Sequence, residues 1–191
     1  MTTNPVNIYE YEAIAKERLA QGEYDFIAGA ATDEITLRRT RAVFDSIMMK
    51  PRMMVDVSQR DLSTTVLGNK IDFPVMLDPA GNHGAAHPDG ELATAKAAGA
   101  MNTIMALSSH ASRTLEDVAE VATGPLWFQY YFFKDRELAL DMAKRAEDAG
   151  YSALCVTLDA KIKPKRERNL RNNYVGSSSP NYAHLDLSTH T

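Results

Sequence analysis

Short apolar runs alternate with amphipathic stretches along most of this chain, and the runs end in polar residues. Thr103-Ile-Met-Ala-Leu-Ser-Ser109, Leu126-Trp-Phe-Gln-Tyr-Tyr131 and Ala153-Leu-Cys-Val-Thr-Leu-Asp159 read as buried strands. Phe73-Pro-Val-Met-Leu77 reads as another, with Pro74 confined to an edge or entry position. Between them lie helical patterns at Glu91–Ala98, stopped at Gly99, at Leu115–Val121, and at Glu137–Ala149, stopped at Gly150. The last carries Leu138, Met142, Ala146 and Ala149 at helical spacing. Strand ends near residues 78, 107, 131 and 158 give steps of 29, 24 and 27 residues, the period of successive β-α units in a parallel sheet.

Upstream, Ile8–Leu19, Tyr24–Ala31 and Asp33–Phe44 pattern as helices, the third with Thr32 or Asp33 to cap it, and Leu62–Leu67 as a short strand. The expected organisation is a helical segment and short strand over residues 1–70, barrel units over 71–175, and a loop or tail over 176–191. Neither a Gly-x-Gly-x-x-Gly turn nor a Gly-Lys-Ser/Thr phosphate loop occurs, which favours a (β/α) barrel over a doubly wound sheet. About four units fit before the sequence ends, where a closed barrel has eight strands. The fold class expected is therefore α/β, the N-terminal half of a (β/α)8 TIM barrel preceded by a helical segment.

Right-handed crossovers put every polar strand end on one rim. Residues two apart on a strand share a face, so Gln129 pairs with Tyr131 and Thr157 with Asp159. A barrel interior is filled mainly by branched apolar side chains, so these pairs, with Ser108, point to a polar ligand at the rim. Small residues in Leu77-Asp-Pro-Ala-Gly-Asn82 let a flat ligand approach the backbone, although a plain turn has the same letters. Lys161-Ile-Lys-Pro-Lys-Arg-Glu-Arg-Asn-Leu-Arg171 reads mostly as a solvated loop leading into a helix, but one arginine facing the rim would suit a carboxylate.

Charge and composition narrow the classes. The 191 residues carry 21 Lys+Arg against 25 Asp+Glu, a net charge of −4, which makes no global case for nucleic acid or membrane as partner. Cys155 is the single cysteine, set in an apolar run, so no disulfide within the chain is possible and a reducing compartment is expected. The first residues lack the basic-then-apolar pattern of a secretory signal, and no apolar run nears the ~18 residues of a membrane span, so the cytoplasm is the expected location. His83 and His87 are four apart, but no Glu follows His83 and Pro88 interrupts a helix, so no metal site is expected.

Tyr24-Asp-Phe-Ile-Ala-Gly-Ala-Ala-Thr-Asp-Glu34, His87-Pro-Asp-Gly-Glu91, Leu107-Ser-Ser109, Trp127-Phe-Gln-Tyr-Tyr131, Thr157-Leu-Asp159 and Arg166-Glu167 stand in order from about residue 6 to 175. Together they resemble the FMN-dependent α-hydroxy acid oxidase and dehydrogenase family, which includes glycolate oxidase, lactate oxidase and mandelate dehydrogenase. The resemblance implies a TIM barrel with FMN at its C-terminal rim. It implies that the backbone of Pro79, Ala80 and Gly81 lies against the flavin, and that Ser108, Gln129 and Thr157 hydrogen-bond to its ring. Tyr131 and Arg166 match positions that contact substrate, the phenol near the reacting hydroxyl and the guanidinium on the carboxylate. Asp159 matches a residue that helps hold the catalytic histidine.

The reaction implied is oxidation of a 2-hydroxy acid to a 2-oxo acid, with no nucleic acid or metal involved. The family's catalytic histidine, flavin-facing lysine, second carboxylate-binding arginine and phosphate-binding loops belong to a second half. The expected partners are therefore the hydroxy acid, a complementary C-terminal half-barrel on the same, a nicked or a second chain, and further copies in a homo-oligomer. A non-catalytic half-barrel that associates through its open edges is the alternative. Phe26 stands where many members have a tyrosine that helps bind the carboxylate, and His110 stands where glycolate oxidase has a tryptophan; the latter, with Gly81 in the loop, implies a differently shaped pocket for a bulkier substrate, nearer to the mandelate-type members.

Overall fold

The computed structural model describes residues 4–133, 136–160 and 162–182. Its helices are α1 (Ile8–Arg18), α2 (Gln21–Ala28), α3 (Ile35–Ser46), α4 (Gly90–Ala100), α5 (Leu115–Val121), α6 (Arg136–Asp148) and α7 (Glu167–Arg171). Its strands are β1 (Thr64–Val66), β2 (Asn69–Ile71), β3 (Met105–Ser108), β4 (Leu126–Tyr131) and β5 (Ala153–Thr157). The described residues form two compact units, 4–60 with 162–176, and 61–160 with 177–182. Within the first unit, hydrogen bonds link α7 and its flanks to α2 and the 30–34 turn.

In the first unit, Asn7 caps α1 by accepting the N–H groups of Tyr9 and Glu10. The buried carboxylate of Asp25 on α2 accepts from Gln21 (3.0 Å) and Asn172, with the Arg168 guanidinium 3.9 Å away. Those amides, with Arg168, hold its pKa below the ordinary carboxylate value against the opposing effect of burial. The cap of α3 differs from expectation. Thr32 and Glu34 have positive φ, and the Thr32 N–H reaches Lys165 O at 2.9 Å, so neither Thr32 nor Asp33 caps the helix. Glu34 turns its carboxylate back to the Ala30 N–H (3.2 Å) and to Arg168 (2.7 Å).

In the second unit, β3, β4 and β5 form a parallel sheet in that order, with Leu77 bridged in parallel to Met105. The expected strand at 73–77 is thus reduced to one bridge. Residues 64–71 form an antiparallel hairpin rather than a single strand, closed by Leu67 and Gly68, both at positive φ. Helices cover one sheet face, where Met105, Leu107, Phe128 and Tyr130 pack with Leu115, Val118, Leu138 and Met142. On the opposite face, Ile104, Ala106 and Trp127 pack with Ile71 of the hairpin and with the half-buried Ala153 and Cys155. The described strands make an open sheet, not a closed barrel.

Two helix ends show why glycines stand where they do. α6 ends in a Schellman motif: Gly150 (φ 87°) donates to Glu147 O and Tyr151 to Ala146 O. α4 instead runs through Gly99 to Ala100. A Cβ at Gly99 would lie 2.0 Å from Thr123 Oγ1, so that glycine serves close packing rather than helix termination. The described part of the expected tail also differs from a free loop. Ser179, Asn181 and Tyr182 are buried, and Asn181 Oδ1 accepts the Leu115 N–H (2.9 Å) while its Nδ2 donates to Arg113 O (3.1 Å). Residues 183–191 lie outside the described residues.

Candidate functional site

Parallel pairing sets Ser108 opposite Gln129 and Tyr131 opposite Thr157, so the C-terminal strand ends meet at one edge of the sheet. Ser108 Oγ donates to Gln129 Oε1 at 3.1 Å, and Gln129 Nε2 donates to Thr157 Oγ1 at 2.7 Å. Ser108 Oγ also accepts the His110 N–H at 3.1 Å. Ser108 and Gln129 are 4% and 3% exposed, which means that these polar groups depend on one another or on a ligand rather than on water. Each keeps unused capacity: the second amide hydrogen and second lone pair of Gln129, and the hydroxyl hydrogen of Thr157.

The loop of Pro79, Ala80 and Gly81 is pinned beside this row. Asn82 N–H donates to His110 O at 3.0 Å, and a Cβ on Gly81 would lie 3.1 Å from His110 Cβ. The His110 ring meets Tyr131 edge-on at 5.3 Å between centroids and Tyr182 at 5.4 Å. Burial of its surroundings lowers the His110 pKa, so the imidazole is neutral at neutral pH. Tyr131 is half-buried at the strand end, while Asp159 is exposed two residues beyond β5.

Arg166 belongs to the first unit. Its Nη1 donates to Phe26 O at 2.8 Å and its guanidinium carbon stands 4.8 Å from the centroid of the Phe26 ring, whose other neighbour is Tyr174 at 5.4 Å. Arginine on an aromatic face is held in orientation while its remaining donors stay available. These groups line a cavity of about 880 Å³ within that unit, with Asn169 and Leu170.

Among the expected site residues, Ser108, Gln129 and Thr157 come together directly, with Pro79–Gly81 and Tyr131 joined to them through His110. Among the described residues no group of three or more His, Cys, Asp or Glu could hold a metal ion, and His83 Nδ1 lies 3.0 Å from Thr94 Oγ1. Cys155 is half-buried, and burial raises its thiol pKa, the opposite of what a nucleophile needs. Sequence reasoning missed a role for Glu91, although the letters His-Pro-Asp-Gly-Glu were noted. Its fully buried carboxylate joins two rim loops. The clamp of Ser179 and Asn181 over the loop after β3 was also missed, because nothing local marks a loop residue as buried.

The sequence pattern of FMN-dependent dehydrogenases matches residues 15–190. The chain is 44% identical to glycolate oxidase 3 of Arabidopsis thaliana over 184 residues, 95% of this chain and 50% of that protein. It is 46% identical to an L-lactate oxidase of a Nostoc species over 177 residues, 91% of this chain and 48% of the other. A soluble mutant of the membrane-associated (S)-mandelate dehydrogenase of Pseudomonas putida superposes with a TM-score of 0.90 at 36% identity, covering 96% of this chain and 53% of that one. The chain thus spans about half the length of the relatives it matches. It has the α/β fold of about half of those TIM-barrel oxidases, and it belongs to the FMN-dependent dehydrogenase family.

Proposed function

We propose that this chain forms the flavin-cradling half of an enzyme that oxidises a 2-hydroxy acid to a 2-oxo acid with FMN, completed by a complementary C-terminal half-barrel. The observation that carries the reading is the hydrogen-bonded row Ser108–Gln129–Thr157 at the sheet's carboxyl edge, beside a loop where a Cβ at Gly81 would lie only 3.1 Å from His110 Cβ. The row fits the group. Its unused donors and acceptors suit the polar edge of a flavin ring, and the backbone of Pro79, Ala80 and Gly81 offers a flat wall. Bound FMN supplies a two-electron acceptor.

In this reading the chain's own residues bind and orient. Arg166, held on Phe26, directs its free guanidinium edge to the substrate carboxylate. Tyr131 places its phenol by the reacting hydroxyl, steadied edge-on by His110. Asp159 receives the histidine of the complementary half, the group that takes the hydroxy acid's proton. Phe26 offers only a ring where a tyrosine would add a hydrogen bond, a difference of roughly 1.5–3 kcal/mol for a bond to a charged group. No described helix is long and apolar enough to cross a membrane. A single cysteine suits the reducing cytoplasm.

One observation favours the second reading, a non-catalytic half-barrel that associates with itself or a partner. On β5, Leu154 and Val156 are 44% and 38% exposed, and no described strand pairs its outer edge. Purifying the chain, measuring its mass in solution, recording its visible spectrum with added FMN and assaying 2-hydroxy acid oxidation with and without the complementary half separates the two. A yellow, substrate-bleached complex containing both halves is expected. A well-folded, colourless oligomer that ignores FMN even with the complementary half would establish the scaffold.

A further inference from the structure

One carboxylate ties together the two loops that carry the candidate flavin contacts. Glu91, on the first turn of α4, is fully buried. Its Oε1 accepts the backbone N–H groups of His83 and Ser112, each at 2.9 Å, and its Oε2 accepts the Ser112 hydroxyl at 2.5 Å. Ser112 Oγ in turn accepts the Gly84 N–H at 2.9 Å. There is little slack in this knot. A Cβ at Gly84 would lie 2.6 Å from Ser112 Oγ and one at Gly90 2.9 Å.

Burial raises the Glu91 pKa, but the hydroxyl and the amides of Ser112 and His83 outweigh it, so the group stays ionised. A buried charge is tolerated only when its lone pairs are filled, and here two separate loops fill them. A helix start needs no such arrangement, since an exposed carboxylate there already favours the helix. The donors come from the turn that follows Pro79–Gly81 and from the loop that follows Ser108. Their separation is thereby fixed.

We propose that Glu91 is a positioning residue for the flavin: by holding His83 and Ser112 on one carboxylate, it sets the width of the slot between the Pro79–Gly81 backbone and the Ser108–Gln129–Thr157 row. This rests on the FMN reading above. Glutamine at 91 keeps an acceptor for the two amides but leaves the Ser112 hydroxyl proton without one, while alanine at 112 removes the hydroxyl that ties Gly84 to the carboxylate and leaves only the backbone amides of residues 83 and 112 on it.

Wild type, Glu91→Gln, Ser112→Ala and the control Lys96→Gln, at an exposed position of α4, each with its complementary half, are compared by FMN titration, by the visible spectrum of bound flavin and by amide hydrogen exchange without flavin. Glu91→Gln and Ser112→Ala should weaken FMN binding at least tenfold and shift its spectrum, with protection lost at residue 84 but kept in β3 and α4. Lys96→Gln should bind as wild type. Flavin affinity and spectrum unchanged in both variants, whatever happens to stability, would reduce Glu91 to a structural group and overturn the proposal. If Glu91→Gln does not fold, Ser112→Ala decides by the same criteria. A wild type that takes up no FMN instead overturns the flavin reading, a distinct outcome.

Discussion

Replacing Gln129 by methionine tests whether the polar row is held by its own hydrogen bonds. Methionine keeps the length and nearly the volume of glutamine, so the cavity contribution is small. Two neutral hydrogen bonds, at 3.1 and 2.7 Å, are lost, at a net value of about 1 kcal/mol each. Ser108 still receives the His110 N–H, but its proton is stranded in a site 4% exposed, which adds roughly 1 kcal/mol or more. Thr157 is half-buried and regains water. The expected loss is about 3 kcal/mol of unfolding free energy. Urea denaturation followed by the fluorescence of Trp127, the single tryptophan, on the same sheet face as Gln129, reads it. In a cycle with Ser108→Ala, which shares the lost Ser108–Gln129 bond and removes the stranded proton, the double variant should recover about 2 kcal/mol relative to additivity. A loss under about 0.5 kcal/mol, or additive effects, would refute the reasoning.

Three further outcomes follow from local geometry. Gly99→Ala drives a methyl to 2.0 Å from Thr123 Oγ1 and 3.1 Å from Gly124 N, so thermal melts should show a loss of about 1–3 kcal/mol, largely restored by adding Thr123→Ala. Leu67→Asn puts a residue that tolerates positive φ (43°) before Gly68 in the hairpin turn, where Leu67 is 74% exposed, and should gain about 0.5–1 kcal/mol in the same assay. Glu91 has its folded pKa lowered below the ordinary value of about 4.3, so its contribution is complete above that pH and is lost as pH falls through the folded value. Urea midpoints at falling pH should therefore drop more steeply in wild type than in Glu91→Gln, and parallel curves would contradict the assignment.

The longer helices and the three sheet strands were legible because their patterns are regular: α6 repeats Leu138, Met142 and Ala146 on its buried face, and β4 is an aromatic-rich run broken only by Gln129. The hairpin at 64–71 was not, since three-residue strands carry too few alternations, although Gly68 marked a turn. Pro74 was weighed as an edge signal, and the structure goes further, leaving only Leu77 bridged. The row of Ser108, Gln129 and Thr157 was legible from strand ends falling on one rim. Glu91 and Asn181 were not, because burial of a polar side chain depends on what a distant loop donates to it. Asn181 answers the amide of Leu115, 66 residues away in sequence.

Hydrogen donation along the rim row runs one way. The His110 amide can only give, so Ser108 Oγ receives it and passes its own proton to Gln129 Oε1. That fixes the glutamine amide with its nitrogen toward Thr157, which receives again and keeps its own proton free. Each link polarises the next, so the final hydroxyl is a stronger donor than an isolated threonine. The chain has its source in backbone and its outlet at the last strand. A ligand edge that brings a lone pair to Thr157 extends the run of donation by one more link, before any charged group is engaged.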